Sequence, residues 1–432
     1  MKPFKNPSTR LVALCSAAYF ISYLTRKTYE ASILSICDDT GLARTAAGLA
    51  GTAAVALYGS GQFVTGWLAD RIDPRKIVLS ALLLTAACNA ATPFAAAAGV
   101  GALIAVQAVN GFAQAMFWPP LVKILASRLS SERYRGGVFA VNVAANVAII
   151  TVFALVAGCV RFYGWRLSFG AVAASALAMA AVWWRCFGKN GTGHLDSNAE
   201  TQRRGDTQGP GLGNTDNLCA SALLRGSAIK SQRSGNDTVS AFVLVPVALA
   251  IVCLGALRDG IEAWAPTILS DLYGLETSKA VFSVALLPVF AVASMVAARA
   301  LRRRLGGEVR AALALFAVGL ACVLTLRILH GASLAAGLPL LALLSAAMHG
   351  ANLLLVCELP GRFAATGHVG TVSGALNACV YAGAAISIYG FAALREHFSS
   401  WLPVFGLWAA LLTLALALCL VALHRRNSEH VA

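Results

Sequence analysis

The sequence predicts an all-α integral membrane fold, with about twelve transmembrane helices in two pseudo-symmetric six-helix bundles. Three observations predict it: the composition, the recurrence of long apolar runs, and a repeat between the two halves. Of 432 residues, 58% are hydrophobic and 12% are charged, and the mean hydropathy is +0.71. A soluble domain carries about 25% charged residues, because its folded exterior must face water. Lipid is the solvent that suits this chain.

Apolar runs long enough to cross a hydrocarbon core of about 30 Å recur along the chain. In a first bundle, residues 1–186, helices are expected near 10–36, 45–69, 76–98, 100–127, 136–160 and 166–186. In a second, residues 240–432, they are expected near 240–270, 279–301, 309–330, 334–358, 370–392 and 401–424. Between the bundles, residues 187–239 are rich in Gly, Ser, Asn, Thr and Asp and read as a flexible cytoplasmic linker. The first apolar run follows Lys2, Lys5 and Arg10 as a signal peptide would, yet it continues through Arg26 and Lys27 to about Ile36. It therefore reads as a membrane helix. Trp118-Pro119-Pro120 is expected to kink the fourth helix. Trp183, Trp184 and Trp401, at helix ends, read as interfacial anchors.

The net charge of +15 admits two readings. Nucleic-acid binding needs a basic face on a soluble module, whereas here the basic residues sit between apolar runs. One side of the membrane collects Lys2, Lys5, Arg10, Arg71, Arg75, Lys76, Arg128, Arg133, Arg135, Arg299, Arg302, Arg303, Arg304, Arg310, Arg362, Arg425 and Arg426. The other has Arg44, Arg161, Arg166, Lys279, Arg327 and Arg395, about 6 against about 17. Both termini are therefore expected in the cytoplasm of a multi-pass cell-membrane protein. The expected partners are the bilayer and a small anionic substrate, with no nucleic acid, and the chain is expected to be a monomer. The eleven cysteines are scattered without a CxxC pair and read as small buried hydrophobes.

The repeat locates the chemistry. The first helix carries Arg26-Lys27-Thr28-Tyr29-Glu30 and the seventh carries Arg258-Asp259-Gly260-Ile261-Glu262. Each half thus opens with a helix bearing Arg near its middle and Glu four residues on. A charge at that depth costs at least about 2.5–3.5 kcal/mol, so such residues face a protein interior or an aqueous cavity. Two uses are open. The guanidinium forks could clamp an oxyanion between the halves, or each Arg could pair with its own Glu30 or Glu262 at i+4. Lys27, turned roughly 100° from Arg26, either reaches the cavity or braces a neighbouring helix. Glu30, Asp259 and Glu262 are candidate counter-charges or proton carriers.

Further polar positions inside helices are His349, Asn377 and, more weakly, Gln62, as ligands or packing residues. Tyr23, Tyr29 and Trp264 neighbour the arginines and are candidate cavity walls. Gly66-Trp67-Leu68-Ala69-Asp70-Arg71-Ile72-Asp73-Pro74-Arg75-Lys76 joins helices two and three. Its Gly66, Asp70, Arg71 and Arg75 are expected to gate one face by a charge network. No nucleotide loop, nucleophile motif or metal-ligand spacing occurs. Neither an enzyme nor an ATP-driven pump is expected, and no cofactor or metal.

That loop matches the signature G-x-x-x-D-R-x-x-x-[RK] of the major facilitator superfamily. Within it, Asn110-Gly111-Phe112-Ala113-Gln114-Ala115-Met116-Phe117-Trp118-Pro119-Pro120, followed by Arg135-Gly136-Gly137 and Asn142, resembles the organophosphate:phosphate antiporter family. Tyr23-Leu24-Thr25-Arg26-Lys27 resembles that family's first helix, and Leu257-Arg258-Asp259-Gly260 through Trp264-Ala265-Pro266-Thr267 its seventh. The resemblance implies a rocker-switch exchanger in which Arg26 and Arg258 bind a phosphoryl group while inorganic phosphate leaves. This chain departs from the family's glycerol-3-phosphate carriers: Gln62 replaces a lysine, Ala145 replaces a histidine, and Glu30 adds an acid. The departures leave room for a less negative or zwitterionic substrate, and for proton coupling through Glu30 or Asp259. Two rival functions stay open, a membrane sensor of a phosphorylated metabolite and a drug exporter of the same superfamily.

Overall fold

The computed structural model describes residues 7–187, 241–275 and 287–431. Seven helices form the first half: α1 (Pro7–Thr40), α2 (Arg44–Ala69), α3 (Pro74–Ala98), α4 (Val100–Ala115), α5 (Trp118–Arg128), α6 (Ser131–Phe162) and α7 (Trp165–Phe187). Six form the second: α8 (Ala241–Tyr273), α9 (Leu287–Leu305), α10 (Glu308–Leu329), α11 (Leu334–Asn352), α12 (Val369–Phe398) and α13 (Leu402–Val431). Because α4 and α5 are two pieces of one span, each half crosses the membrane six times. The expected linker and its Asn236 sequon lie outside the described residues, as does the start of the span expected at 279–301.

Local chemistry sets the breaks. The Asp73 side chain accepts from the Arg75 backbone N–H at 2.9 Å and Pro74 follows as the first helical residue, so α3 begins there. Pro119 and Pro120 cannot donate to the preceding turn, and the helix breaks at Met116-Phe117, as the sequence predicts. Gly99, at φ +116°, turns the chain from α3 into α4. Beyond Asn352 the span runs on as a π-helical turn, Leu353–Glu358, and a 3-10 turn, Leu359–Thr366. Hydroxyls buried in the apolar helices fold back on carbonyls of their own chain, as Thr28 does on Leu24 at 2.7 Å and Thr92 on Cys88 at 2.8 Å.

Among the described residues, nine helical segments have the length and hydropathy of a membrane span. The helices that fall short are α1, α2 and α9. α1 carries Arg26, Lys27 and Glu30, α2 is rich in Gly, Ser and Thr, and α9 ends in Arg302-Arg303-Arg304. Helices that line a cavity or a charged seam need less apolar surface than helices facing lipid. The outer surface is apolar, with Ile328 83% and Phe94 78% exposed. Two expected anchors are instead interior: Trp183 is buried and donates to the Arg75 carbonyl at 3.0 Å, and Trp401 is buried and donates to Asp271 at 3.0 Å. Each indole N–H found a polar partner inside the protein, so neither ring lies at the lipid interface.

Small residues bring the helices together, as packing within lipid requires. A Cβ on Gly111 would stand 2.1 Å from the Ala54 carbonyl oxygen of α2, and one on Gly255 would stand 2.0 Å from the Val380 oxygen of α12. Gly111→Ala must therefore push α4 from α2. It should destabilise the protein by about 1–3 kcal/mol, whereas Gly158→Ala, which meets nothing within 4 Å, should be neutral or slightly stabilising. Thermal unfolding of the detergent-purified protein checks this; equal midpoints would refute the close-packing argument.

Candidate substrate site and gate

Arg26 stands at mid-depth on α1 and reaches across to the second half. Its Nη2 donates to the Tyr381 hydroxyl on α12 at 3.1 Å. Its guanidinium lies 4.1 Å from the Tyr58 ring centre, 5.4 Å from Tyr23 and 5.6 Å from Tyr381. Among the described residues no carboxylate pairs with it. Three aromatic faces and one hydroxyl stabilise the cation, while donors of a guanidinium fork stay available to a ligand.

The other charges are committed. Arg258 forks onto its neighbour Asp259 at 2.6 and 3.1 Å and donates to Asn352 Oδ1 of α11 at 2.9 Å. Lys27 Nζ pairs with Glu30 at 2.6 Å, and His349 Nε2 meets Glu262 Oε1 at 2.6 Å. Neither expected i+4 pair, Arg26 with Glu30 or Arg258 with Glu262, is made. Both arginines lie within electrostatic reach of the Tyr381 hydroxyl.

A cavity of about 830 Å³ opens beside this group. Arg26, Tyr29 and Glu30 line it from α1, Tyr58 from α2, Asn110 and Gln114 from α4, and Tyr381 from α12. Its polar wall is braced from behind: Gln114 Nε2 donates to Thr25 at 2.9 Å and Thr85 at 2.8 Å, and the Thr85 hydroxyl donates to Asn110 at 2.7 Å.

Several residues expected in the cavity lie elsewhere. The Tyr29 hydroxyl donates to the Ala47 carbonyl at 2.7 Å, so only its ring serves the wall. Trp264 packs near Trp401, 6.2 Å between ring centres, at the far end of α8. Gln62 is fully buried with neither amide atom hydrogen-bonded, one helical turn past Tyr58. Asn377 is buried one turn before Tyr381. Both sit beneath the cavity floor, where α2 meets α12.

Below them the halves close. Gly66 and Gly374 face each other so tightly that a Cβ on Gly66 would stand 2.5 Å from the Gly370 oxygen and 2.9 Å from the Gly374 Cα. One turn on, Asp70 accepts from the backbone N–H groups of Thr371 at 2.6 Å and Gly370 at 3.0 Å. These are free donors at the start of α12. Lys123 of α5 completes the contact, 2.7 Å from Asp70 and also bonded to the Gly367 carbonyl. Burial pushes the Asp70 carboxyl up, but Lys123 and the two backbone donors outweigh it and hold it below the ordinary carboxylate range. Arg71 and Arg75, also expected in the gate, turn to their own half. Arg71 stacks on Trp67 at 3.9 Å, and Arg75 pairs with Asp73 at 3.0 Å.

The second half repeats the arrangement with the charges exchanged. Arg302, near the end of α9, lies 3.1 Å from Glu358 at the end of the π turn. Across the seam the first turn of α6 supplies Glu132, 3.9 Å from Arg302 and 3.7 Å from Arg303. Glu308 is held by Arg362 at 3.0 Å from the same half and by Arg135 at 3.5 Å from the other. Tyr134 donates to the Cys357 carbonyl at 2.8 Å. Among the described residues, the hydrogen bonds and ion pairs joining the halves lie at mid-depth or at this basic end. At the opposite end Asp39 pairs with Arg166 and Asp271 with Arg395, each within its half.

The profile described as Major Facilitator Superfamily matches residues 15–388. The chain belongs to that superfamily of transporters. Its fold resembles the superfamily's proton:xylose symporter XylE, with a TM-score of 0.71 at 15% identity over 95% of this chain and 94% of that one. It also resembles the Escherichia coli fucose:proton symporter FucP, with a TM-score of 0.68 at 13% identity over 96% and 99%. Among curated sequences, a probable hexose phosphate transport protein of Chlamydia muridarum is 25% identical over 38% of this chain and 36% of its own. The membrane sensor protein UhpC of Salmonella typhimurium is 31% identical over 39% and 37%. The glycerol-3-phosphate transporter of Bacillus subtilis is 30% identical over 34% of each. The match thus spans little more than a third of these relatives' length.

Tyr58, Tyr381, Asn352 and Lys123 were not singled out from the sequence. The available signal was general: a hydroxyl, amide or ammonium inside an apolar run needs a partner. Because the folded Asp70 carboxyl titrates below its ordinary value, its contact is present at neutral pH and is lost only as pH falls through that lowered value. Asp70→Asn, made in a cysteine-replaced background carrying Gln62→Cys, should raise labelling by an impermeant thiol reagent from the basic face about tenfold, equivalent to about 1.4 kcal/mol. The ratio of labelling between the Asn and Asp proteins, which cancels the pH dependence of the thiolate, should not change between pH 5 and 8. An unchanged rate in the Asn variant would remove Asp70 from the gate.

Proposed function

We propose that this superfamily member is a secondary transporter of a small organic anion of the phosphate-ester or phosphonate class. It works by alternating access across the cytoplasmic membrane, with the basic end in the cytoplasm. The observation that carries the reading is Arg26: a guanidinium at mid-depth, without a carboxylate partner among the described residues, bonded across the halves and facing a cavity. An oxyanion entering there meets a fork of matching geometry, the Tyr58 and Tyr381 side chains, and Arg258 beyond. Its charge offsets the desolvation cost of closing the halves over a dry site. The bonds that join the halves at the basic end, with none joining them at the opposite end among the described residues, support reading this as the alternating state open to the outside. Similarity to hexose phosphate and glycerol-3-phosphate transport proteins supports the substrate class. Exchange for inorganic phosphate is the favoured coupling, with proton symport through Glu30 or Asp259 as the alternative.

The likeness to a sensor protein favours a second reading, ligand binding that signals with little flux. Purified protein in liposomes separates the two. Phosphate-loaded vesicles should take up glycerol phosphate by counterflow at both pH 6 and pH 8, and binding without uptake would favour the sensor. Arg26→Lys keeps the charge but loses the fork. It should lower uptake by about a hundredfold, equivalent to about 2.7 kcal/mol, with the protein still in the membrane. Arg258→Lys should lower it as well, by disturbing the Asp259 and Asn352 contacts. Normal uptake by Arg26→Lys would refute the anion-site reading.

A further inference from the structure

The charged residues that line the cavity are one cation, Arg26, and one anion, Glu30. Around it Lys27 pairs with Glu30 at 2.6 Å and Arg258 with Asp259 at 2.6 Å, which leaves Arg26 as the cation of this group that no carboxylate offsets among the described residues. A phosphate dianion sealed against Arg26 would leave one negative charge without compensation in a low-dielectric interior, a state that proteins avoid. A ligand carrying its own positive group cancels that excess.

The acids are also placed to receive such a group. Glu30 lines the same cavity as Arg26 and lies one helical turn further along α1, so their Cβ atoms are about 5–6 Å apart. Its side chain stays 45% exposed although one oxygen, Oε2, holds Lys27. The second oxygen remains available as an acceptor, since a carboxylate has about four lone-pair sites. Asp259, in contrast, has both oxygens committed to Arg258. One face of the cavity therefore offers a donor fork and, one turn away, an acceptor.

Resting on the organic-anion reading above, we propose that the preferred substrate is zwitterionic: a short phosphate ester or phosphonate bearing an amine, its oxyanion on Arg26 and its ammonium on Glu30. Two or three carbons between the groups match one helical turn. The Tyr58 and Tyr381 rings flank the oxyanion end, and the Asn110 and Gln114 side chains form the wall of the cavity behind.

The test is competition against glycerol phosphate in phosphate-loaded liposomes of the full chain, with 2-aminoethyl phosphate as the probe. In the unaltered protein 2-aminoethyl phosphate should compete about tenfold better than unlabelled glycerol phosphate. Glu30→Gln should abolish that preference and, by leaving Lys27 without its acid, bind glycerol phosphate several-fold more tightly than before. Glu30→Asp should keep part of the preference, which controls for loss of folding, as does the thermal midpoint of each variant. Equal competition by the two esters, or a preference that survives in Glu30→Gln, overturns the zwitterion assignment while leaving the anion reading intact. Failure of both esters to bind the unaltered protein overturns the two together.

Discussion

The structure depends on how one guanidinium is kept charged in the middle of an apolar bundle. Arg26 has no carboxylate beside it among the described residues, so its desolvation is offset by aromatic faces and by the Tyr381 hydroxyl. That solution takes residues from α1, α2 and α12 at once, which fixes where the halves meet at mid-depth. It also separates Arg26 from Arg258. The latter is neutralised by Asp259 and hydrogen-bonded to Asn352, so the two arginines of the repeat are unequal: one has no carboxylate partner among the described residues and the other is already paired.

The same seam continues downward as a graded contact. A polar layer at Gln62 and Asn377 gives way to glycines in backbone contact and then to charges. The charged layer uses helix ends in opposite ways. The start of α12 carries free N–H groups, so an acid from the first half suits it. The start of α6 is electropositive for the same reason, yet it faces Arg302. It therefore carries Glu132 in its first turn to reverse the local sign. Exchanging the charges between the halves makes the two contacts complementary to one fold without making them interchangeable.

Much of this was legible beforehand. Nine spans among the described residues follow from apolar length, and matched Arg positions in the first and seventh helices show where charge enters the bundle. What the sequence could not show is pairing. Spacing at i+4 favours Arg26 with Glu30 and Arg258 with Glu262, but each carboxylate is taken by another side chain, Lys27 at i+3 for one and His349 on another helix for the other. The gate was only half legible for a related reason. Its loop motif is visible in the chain, while its partners, Lys123 and the amides at the start of α12, are distant in sequence. Arg71 and Arg75 match the motif and still settle on neighbours within their own half. Tryptophans at helix ends looked like lipid anchors, but burial depends on whether the indole N–H finds an acceptor, and both Trp183 and Trp401 did.

The π turn at Leu353–Glu358 joins two of these features along one piece of chain. Asn352, bonded to Arg258, immediately precedes it, and Glu358, facing Arg302, closes it. A π turn accommodates one residue more than an α turn spanning the same rise. Were it to tighten into α geometry, everything beyond would rotate by roughly 100° and advance by about 1.5 Å relative to everything before. Asn352 and Glu358 could not then both keep their present partners. The extra residue makes this span a gear tooth: a change of grip at Arg258 and a change of register at the charged seam become two descriptions of one backbone step.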